Sequence, residues 1–224
     1  MKNKNRPITF LDDRLLFPGV EMANTEGLLA VGGDLSPERL LLAYNSGIFP
    51  WFNEDSLILW WSPDPRMVLF PENIKISKSM RNTLNKEKYT ITKDKAFKEV
   101  IQQCAKAYRP GQNGTWITEH MIEAYLQLHK KGHAHSYEVW EGKDLVGGLY
   151  GIELGHVFCG ESMFSKRKDA SKCALIHLAR ELETMNYAVI DCQLHTPHLE
   201  SLGAELIARQ DYLDILKRNK KSCS

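Results

Sequence analysis

Asp191 and Gln193 stand two residues apart in the apolar run Ala188-Val189-Ile190-Asp191-Cys192-Gln193. In a regular strand that spacing turns both side chains to one face. A carboxylate beside an amide can polarise it, so the pair could pass on a proton taken from a nucleophile. Glu161, in Phe158-Cys159-Gly160-Glu161-Ser162-Met163-Phe164-Ser165, falls on a neighbouring predicted strand and could hold a cationic group or anchor the group being transferred. On the residues alone, a satisfied polar pair at a strand end is an equally open reading.

Other chemistry-bearing residues are scattered. Lys75, Lys78, Arg81, Lys86 and Lys88 form the densest basic stretch in a chain whose net charge is only +1, from 29 Lys and Arg against 28 Asp and Glu. That balance does not announce a nucleic-acid binder, so any basic footprint must be local. A merely solvated helix face is the alternative. His133 and His135 share one side of a possible strand, and His195 and His198 lie near a turn. No Asp, Glu or Cys completes a ligand set with them, so no metal is expected. Cys104, Cys159, Cys173, Cys192 and Cys223 are odd in number and widely spread, which points to reduced thiols in a cytosolic protein. The first fourteen residues have no long apolar core, and no run of about 18 apolar residues occurs. Neither a secretory signal nor a membrane span is expected.

These residues need elements to position them. The 224 residues, 43% hydrophobic and 25% charged, suit one large or two modest soluble domains. Residues 28–31 read as a short apolar strand. Ser36 caps a helix that opens on Pro37, carries Leu40, Leu41, Leu42 and Tyr44, and ends by Gly47. Trp60-Trp61-Ser62-Pro63-Asp64-Pro65-Arg66 forbids regular helix and marks a boundary, giving a small domain at 1–65 and a larger one at 66–224. Beyond it the reading is a strand at 68–70, a basic helix at 77–85 and amphipathic helices at 94–107 and 118–131. Strands follow at 135–140, 145–153 and 156–161, then a helix at 169–186 and a strand at 188–193. Residues 199–216 give a helix, a turn and a last strand or helix, and 217–224 a frayed polar tail.

The fold class is therefore α/β (α+β), and three meandering strands, a helix and another strand is the order of the acetyltransferase-superfamily core. An acetyl-CoA enzyme would place a glycine-rich loop where the helix begins, so that backbone amides cradle pyrophosphate. Here the segment is Ser165-Lys166-Arg167-Lys168-Asp169-Ala170-Ser171-Lys172, without glycine. Acyl transfer is suggested and acetyl-CoA is not, so no cofactor is expected.

Further strings stand beside Ile190-Asp191-Cys192-Gln193 and Ser201-Leu202-Gly203-Ala204. They are Gly27-Leu28-Leu29-Ala30-Val31-Gly32-Gly33-Asp34-Leu35-Ser36, Gly47-Ile48-Phe49-Pro50-Trp51-Phe52, the double-Trp string above and Gly114-Thr115-Trp116-Ile117-Thr118. Together they resemble the leucyl/phenylalanyl-tRNA–protein transferase family over residues 17–216. The chain ends soon after Leu216, where some members of that family carry a longer tail.

The resemblance implies an aminoacyltransferase that moves Leu or Phe, with Met as a third candidate, from aminoacyl-tRNA to the N-terminal Arg or Lys of acceptor proteins, marking them for N-end-rule degradation. It implies Glu161, Asp191 and Gln193 as catalytic positions. Either Asp191 and Gln193 relay the proton of the amine, or a ribose hydroxyl does so while they position it. Trp51 and Trp116 are similar to positions that stack on the terminal adenosine; core packing is their alternative. Trp60 and Trp61 are expected to pack in the core or between domains. Phe158, Met163, Leu175, Leu178 and Ile190 are expected to line an apolar pocket for the acyl side chain, or else to be plain core. Lys75, Lys78, Arg81, Lys86 and Lys88 resemble the family's patch for the tRNA backbone. A cytoplasmic monomer is expected. The rival readings are a small-molecule N-acetyltransferase and a non-enzymatic module that binds tRNA ends.

Overall fold

A computed structural model of the chain describes residues 8–107 and 116–222, with side chains through residue 219. Gly114, Thr115, Cys223 and the first seven residues lie outside the described residues.

The N-terminal part runs β1 (Thr9–Leu11), β2 (Leu28–Gly32), α1 (Pro37–Tyr44), β3 (Phe49–Pro50) and β4 (Leu59–Trp61), its strands forming one sheet in the order β1-β2-β4-β3. Ser36 caps α1 as expected, its hydroxyl accepting from the Arg39 N–H at 3.3 Å. The next elements are β5 (Arg66–Leu69), α2 (Lys78–Asn85), β6 (Thr90–Lys93), α3 (Phe97–Lys106) and α4 (Glu119–Lys130). The remainder is β7 (Ala134–Glu141), β8 (Asp144–Leu154), β9 (Val157–Ser165), α5 (Ala170–Thr184), β10 (Val189–Gln193), α6 (Pro197–Ser201), β11 (Glu205–Ile207) and α7 (Arg209–Ser222). A seven-stranded sheet joins them in the order β11-β5-β10-β9-β8-β7-β6.

The three-strand meander, α5 and a parallel β10 follow the expected order. Strands up to Trp61 lie in one sheet and those from Arg66 onward in the other. The core does not divide with the sheets. One apolar cluster joins Leu40, Tyr44 and Trp60 to Val100, Tyr125, Val157 and Tyr212.

Three expectations need correction. The helix read from Asp94 starts at Phe97, because Asp94 takes a left-handed φ of 58° and caps a strand instead. Its carboxylate accepts from the Ser136 N–H at 2.9 Å and meets His135 Nδ1 at 2.7 Å. β6, absent from the sequence reading, forms just before that turn. The tail expected to fray from residue 217 is helical as far as it is described: α7 runs to Ser222, and Asn219 accepts from the His156 N–H at 2.6 Å and donates to the Leu154 carbonyl.

Candidate active site

β9 and β10 pair only over residues 157–159 and 189–191, and then part. Each carries an irregularity at that point. On β9, Glu161 is an extra residue between Gly160 and Ser162, which pair with Gly151 and Tyr150. On β10, Cys192 is extra between Asp191 and Gln193. A bulge interrupts the alternation of side chains and re-aims them. Gly151 is required opposite the first bulge, since a Cβ there would collide with the Cys159 carbonyl and the Phe158 ring. The parted strands open a cavity of about 600 Å³.

Glu161 and Gln193 line this cavity and touch, the Gln193 amide Nε2 donating to Glu161 Oε1 at 3.3 Å. The Tyr125 hydroxyl donates to Glu161 Oε2 at 2.7 Å, and the Tyr44 hydroxyl is hydrogen-bonded to Tyr125 behind it. Burial raises the Glu161 carboxyl to about 7, against the lowering effect of the Tyr125 and Tyr44 hydroxyls. A carboxyl that titrates there can accept or release a proton at neutral pH. Burial and then the Glu161 charge push both tyrosines well above the ordinary phenol range, so they serve as donors.

Asp191 is elsewhere. It is fully buried and does not line the cavity. Arg66 grips it twice, Nε to Oδ1 at 2.8 Å and NH2 to Oδ2 at 2.7 Å, while the Tyr212 hydroxyl donates to Oδ2 at 2.9 Å. Burial lowers the Arg66 pKa, but the Asp191 charge more than offsets that, leaving it raised. Asp191 meets Gln193 through the main chain: the Gln193 N–H donates to Oδ1 at 3.0 Å, and Gln193 holds a left-handed φ of 58°. The regular-strand expectation of a carboxylate beside an amide therefore fails at the bulge. The amide turns to Glu161 instead.

The cavity walls are mainly apolar. Met163, Leu175, Leu178 and Ile190 line it as expected, the two leucines one turn apart on α5. Phe158 is not on the wall; it is buried beneath, edge-on to Tyr137. Trp51 and Trp116 both line the cavity and are half-buried. Trp61 packs edge-on against Trp51 with centroids 5.6 Å apart and donates to the Trp51 carbonyl at 2.7 Å. Trp60 is fully buried against Phe17. Lys75, Lys78, Arg81, Lys86 and Lys88 are exposed on and around α2, well away in sequence from the cavity wall.

Two of the histidines singled out in the sequence have carboxylate partners: His135 meets Asp94 and Glu153, and His195 meets Glu200 at 3.0 Å. Cys104, Cys159, Cys173 and Cys192 are free thiols. Among the described residues no helix is long and apolar enough to cross a membrane.

Sequence reasoning missed Arg66, Tyr125, Tyr44 and Tyr212. A lone Arg in the apolar strand Arg66-Met67-Val68-Leu69 was a usable signal, because a buried guanidinium demands a carboxylate. The tyrosines sit on apolar helix faces and gave none.

Residues 68–217 match the family described as leucyl/phenylalanyl-tRNA protein transferase, and residues 33–64 match its N-terminal domain. The chain is 61% identical to a leucyl/phenylalanyl-tRNA–protein transferase of Flavobacterium johnsoniae, over 93% of this chain and 98% of that protein. It is 55% identical to the protein of that name from Hydrogenovibrio crunogenus, over 93% of this chain and 83% of the other. Among solved structures it is similar to a GCN5-related N-acetyltransferase from Kribbella flavida, with a TM-score of 0.37 and 11% identity. That likeness covers 75% of this chain and 59% of the other, and it is too loose to bear on chemistry.

Proposed function

Because the chain belongs to the leucyl/phenylalanyl-tRNA–protein transferase family, enzymes that transfer an aminoacyl group from tRNA to protein, we propose that its cavity takes the Leu or Phe side chain and presents the ester to an acceptor amine. The observation that carries this reading is an apolar cavity with one carboxylate, Glu161, on its described wall, titrating near neutrality and held by an amide and a phenol. Desolvation excludes a charged acyl side chain. Among apolar ones such a wall discriminates by only about 1–3 kcal/mol per methylene, so Met is a third candidate.

Catalysis is assigned to Glu161 and Gln193, with Asp191 acting behind them. The free α-amine attacks the ester carbonyl carbon, a C–N bond forms, and the carbonyl oxygen becomes an oxyanion. Glu161 accepts the amine proton while Gln193 orients the nucleophile. The C–O bond to the ribose then breaks, and the leaving oxygen takes a proton. An α-amine has a pKa near 8, so a base near 7 is well matched to it. Trp51 and Trp116 are assigned to the terminal adenosine, whose base can stack on an indole. Lys75, Lys78, Arg81, Lys86 and Lys88 are assigned to tRNA phosphates. Residues 1–65 act as a base that supplies Trp51, and 66–224 as the catalytic unit.

The acceptors are proteins with N-terminal Arg or Lys, which the added residue marks for N-end-rule degradation. With these substrates the reaction belongs to the cytoplasm, and the chain acts as a monomer. The deciding experiment incubates the protein with Phe-tRNA and an Arg-started peptide. A mass gain of one phenylalanyl residue is expected. No gain, or acetylation from acetyl-CoA in its place, overturns the reading.

A further inference from the structure

Two basic segments far apart in sequence lie side by side in the fold. The first is α2 with its flanks. The second is the loop from β9 into α5, with Lys166, Arg167 and Lys168, followed by Lys172 in the first turn of α5. Met80 of α2 packs with Cys173 and Ile176 of α5 in one apolar cluster. The Tyr89 hydroxyl, just after α2, donates to the Lys168 carbonyl at 3.0 Å. Glu141 ties the two sides together, meeting Lys88 at 3.3 Å and Arg167 at 3.5 Å.

Nine of the chain's 29 cations thus stand in these two segments, whose own acids are Glu87 and Asp169, in a protein of net charge +1. Among the described residues no carboxylate pairs with Lys75, Lys78, Arg81, Lys86, Lys166 or Lys168. The segment also leads to the cavity. Lys172 is one turn before Leu175, which lines the wall. His198 lines the cavity too, and its pKa is lowered by burial and then by the Lys172 charge.

We propose that the β9–α5 loop, through Lys166 and Lys168, continues the α2 surface to the cavity mouth as a single phosphate track for the acceptor end of the tRNA. The inference rests on the aminoacyl-tRNA reading above. A row of exposed cations without carboxylate partners attracts a polyanion without reading its sequence, and each phosphate neutralised releases counterions. The glycine-free loop that does not suit acetyl-CoA suits this ligand, since it offers charge rather than backbone amides.

The test compares Lys166→Gln/Lys168→Gln with the parent chain on two donors, Phe-tRNA and phenylalanyl-adenosine, each with an Arg-started peptide over a salt series. For Phe-tRNA the KM rises several-fold with kcat retained, and the dependence of log KM on log salt flattens by about 0.7–0.9 for each phosphate no longer neutralised. Turnover of phenylalanyl-adenosine, which has no phosphate, stays at the parent's level. An unchanged KM and salt slope for Phe-tRNA overturns the track while leaving the function intact. Equal losses on both donors overturn it too, since the loop would then be shaping the cavity. A parent chain that turns over neither donor sinks the function and this inference together.

Discussion

Arg66 and Asp191 meet in a bidentate pair at 2.8 and 2.7 Å, both side chains cut off from solvent, 125 residues apart in sequence. The pair joins the start of the seven-stranded sheet to the bulge that carries Gln193. Arg66 reaches further, donating from NH1 to the Gly47 carbonyl at 3.2 Å and stacking on the Phe49 ring at 4.7 Å. Phe49 lines the cavity, so one guanidinium braces both the segment before Trp51 and the strand end that holds Gln193.

Asp191→Ala leaves that guanidinium buried without a counter-charge, at a cost of about 3–5 kcal/mol. It also frees the Gln193 N–H from the acceptor that fixes its left-handed backbone. Thermal stability and rate are expected to fall together. Arg66→Met/Asp191→Leu removes both charges at similar volume and should recover much of the stability. The rate should stay low, because nothing then holds Gln193 in place. Melting curves and turnover measured on the same samples decide this; recovery of both would show that Asp191 and Arg66 serve folding alone.

Glu161 predicts a pH dependence of known sign. Its carboxyl is raised to about 7, so it is protonated in acid and becomes the base as pH rises. The kcat/KM profile should climb through pH of about 7. Folding stability should move the other way: the folded chain holds the Glu161 proton to higher pH than the unfolded one, so stability falls between about 4.5 and 7 as that proton is lost. An acceptor α-amine titrates nearby, near 8, and would shape the same limb. Tyr125→Phe separates them. It removes a donor that lowers the Glu161 pKa, so the limb should shift upward if it belongs to Glu161 and stay still if it belongs to the amine. Glu161→Gln should cost about 10²–10⁴ in rate.

Much of this site was legible in the sequence, and the part that was not has a physical reason. Glu161 and Gln193 stood out as polar residues inside apolar strands, but only the family resemblance marked them as catalytic positions; the fold puts both on the cavity wall. Met163, Leu175, Leu178 and Ile190 were named as apolar neighbours of those strands, and they do line the cavity. The placement of Asp191 beside the Gln193 amide was misread because the inference used the two-residue period of a regular strand, and a bulge at Cys192 breaks that period. Phe158 was misplaced for another reason: it shares a face with Met163 but stands where β9 is still paired to β10, before the strands part, and so is covered. β6 was missed because Thr90-Ile91-Thr92-Lys93 carries one apolar residue and gains its partners only from β7. Long-range pairing is what a local pattern cannot express.

The apolar wall predicts a specificity change. Leu178→Phe fills part of the cavity from α5, where Leu178 is fully buried and lines the wall. The larger phenylalanyl group should lose more than the leucyl group, by about 1–3 kcal/mol or roughly 5- to 150-fold in relative kcat/KM. Met163→Ala should do the reverse and admit bulkier acyl groups. Competition between Leu-tRNA and Phe-tRNA in one vessel reads the ratio directly. An unchanged ratio in both variants would mean the acyl side chain binds elsewhere.

Trp116 and α2 are assigned to different parts of the same donor, and that division can be measured. Trp116 lines the cavity, where an unpaired base could lie flat on its indole. Trp116→Ala should therefore weaken phenylalanyl-adenosine as well as Phe-tRNA, by the about 1–3 kcal/mol of one stacked base. Trp51→Ala should behave alike, and Trp61→Ala should give part of the same loss, because the Trp61 indole braces Trp51 from behind. Arg81→Ala/Lys78→Ala changes exposed side chains on α2, so it should raise the KM for Phe-tRNA and spare phenylalanyl-adenosine. That rise should be largest at low salt, where counterion release contributes most, and shrink as salt screens the parent's own phosphate contacts. The comparison is within one peptide acceptor and one salt series, so differences in the chemical step cancel. Equal losses on both donors for both sets of variants would show that base stacking and phosphate contact are not separated in this molecule.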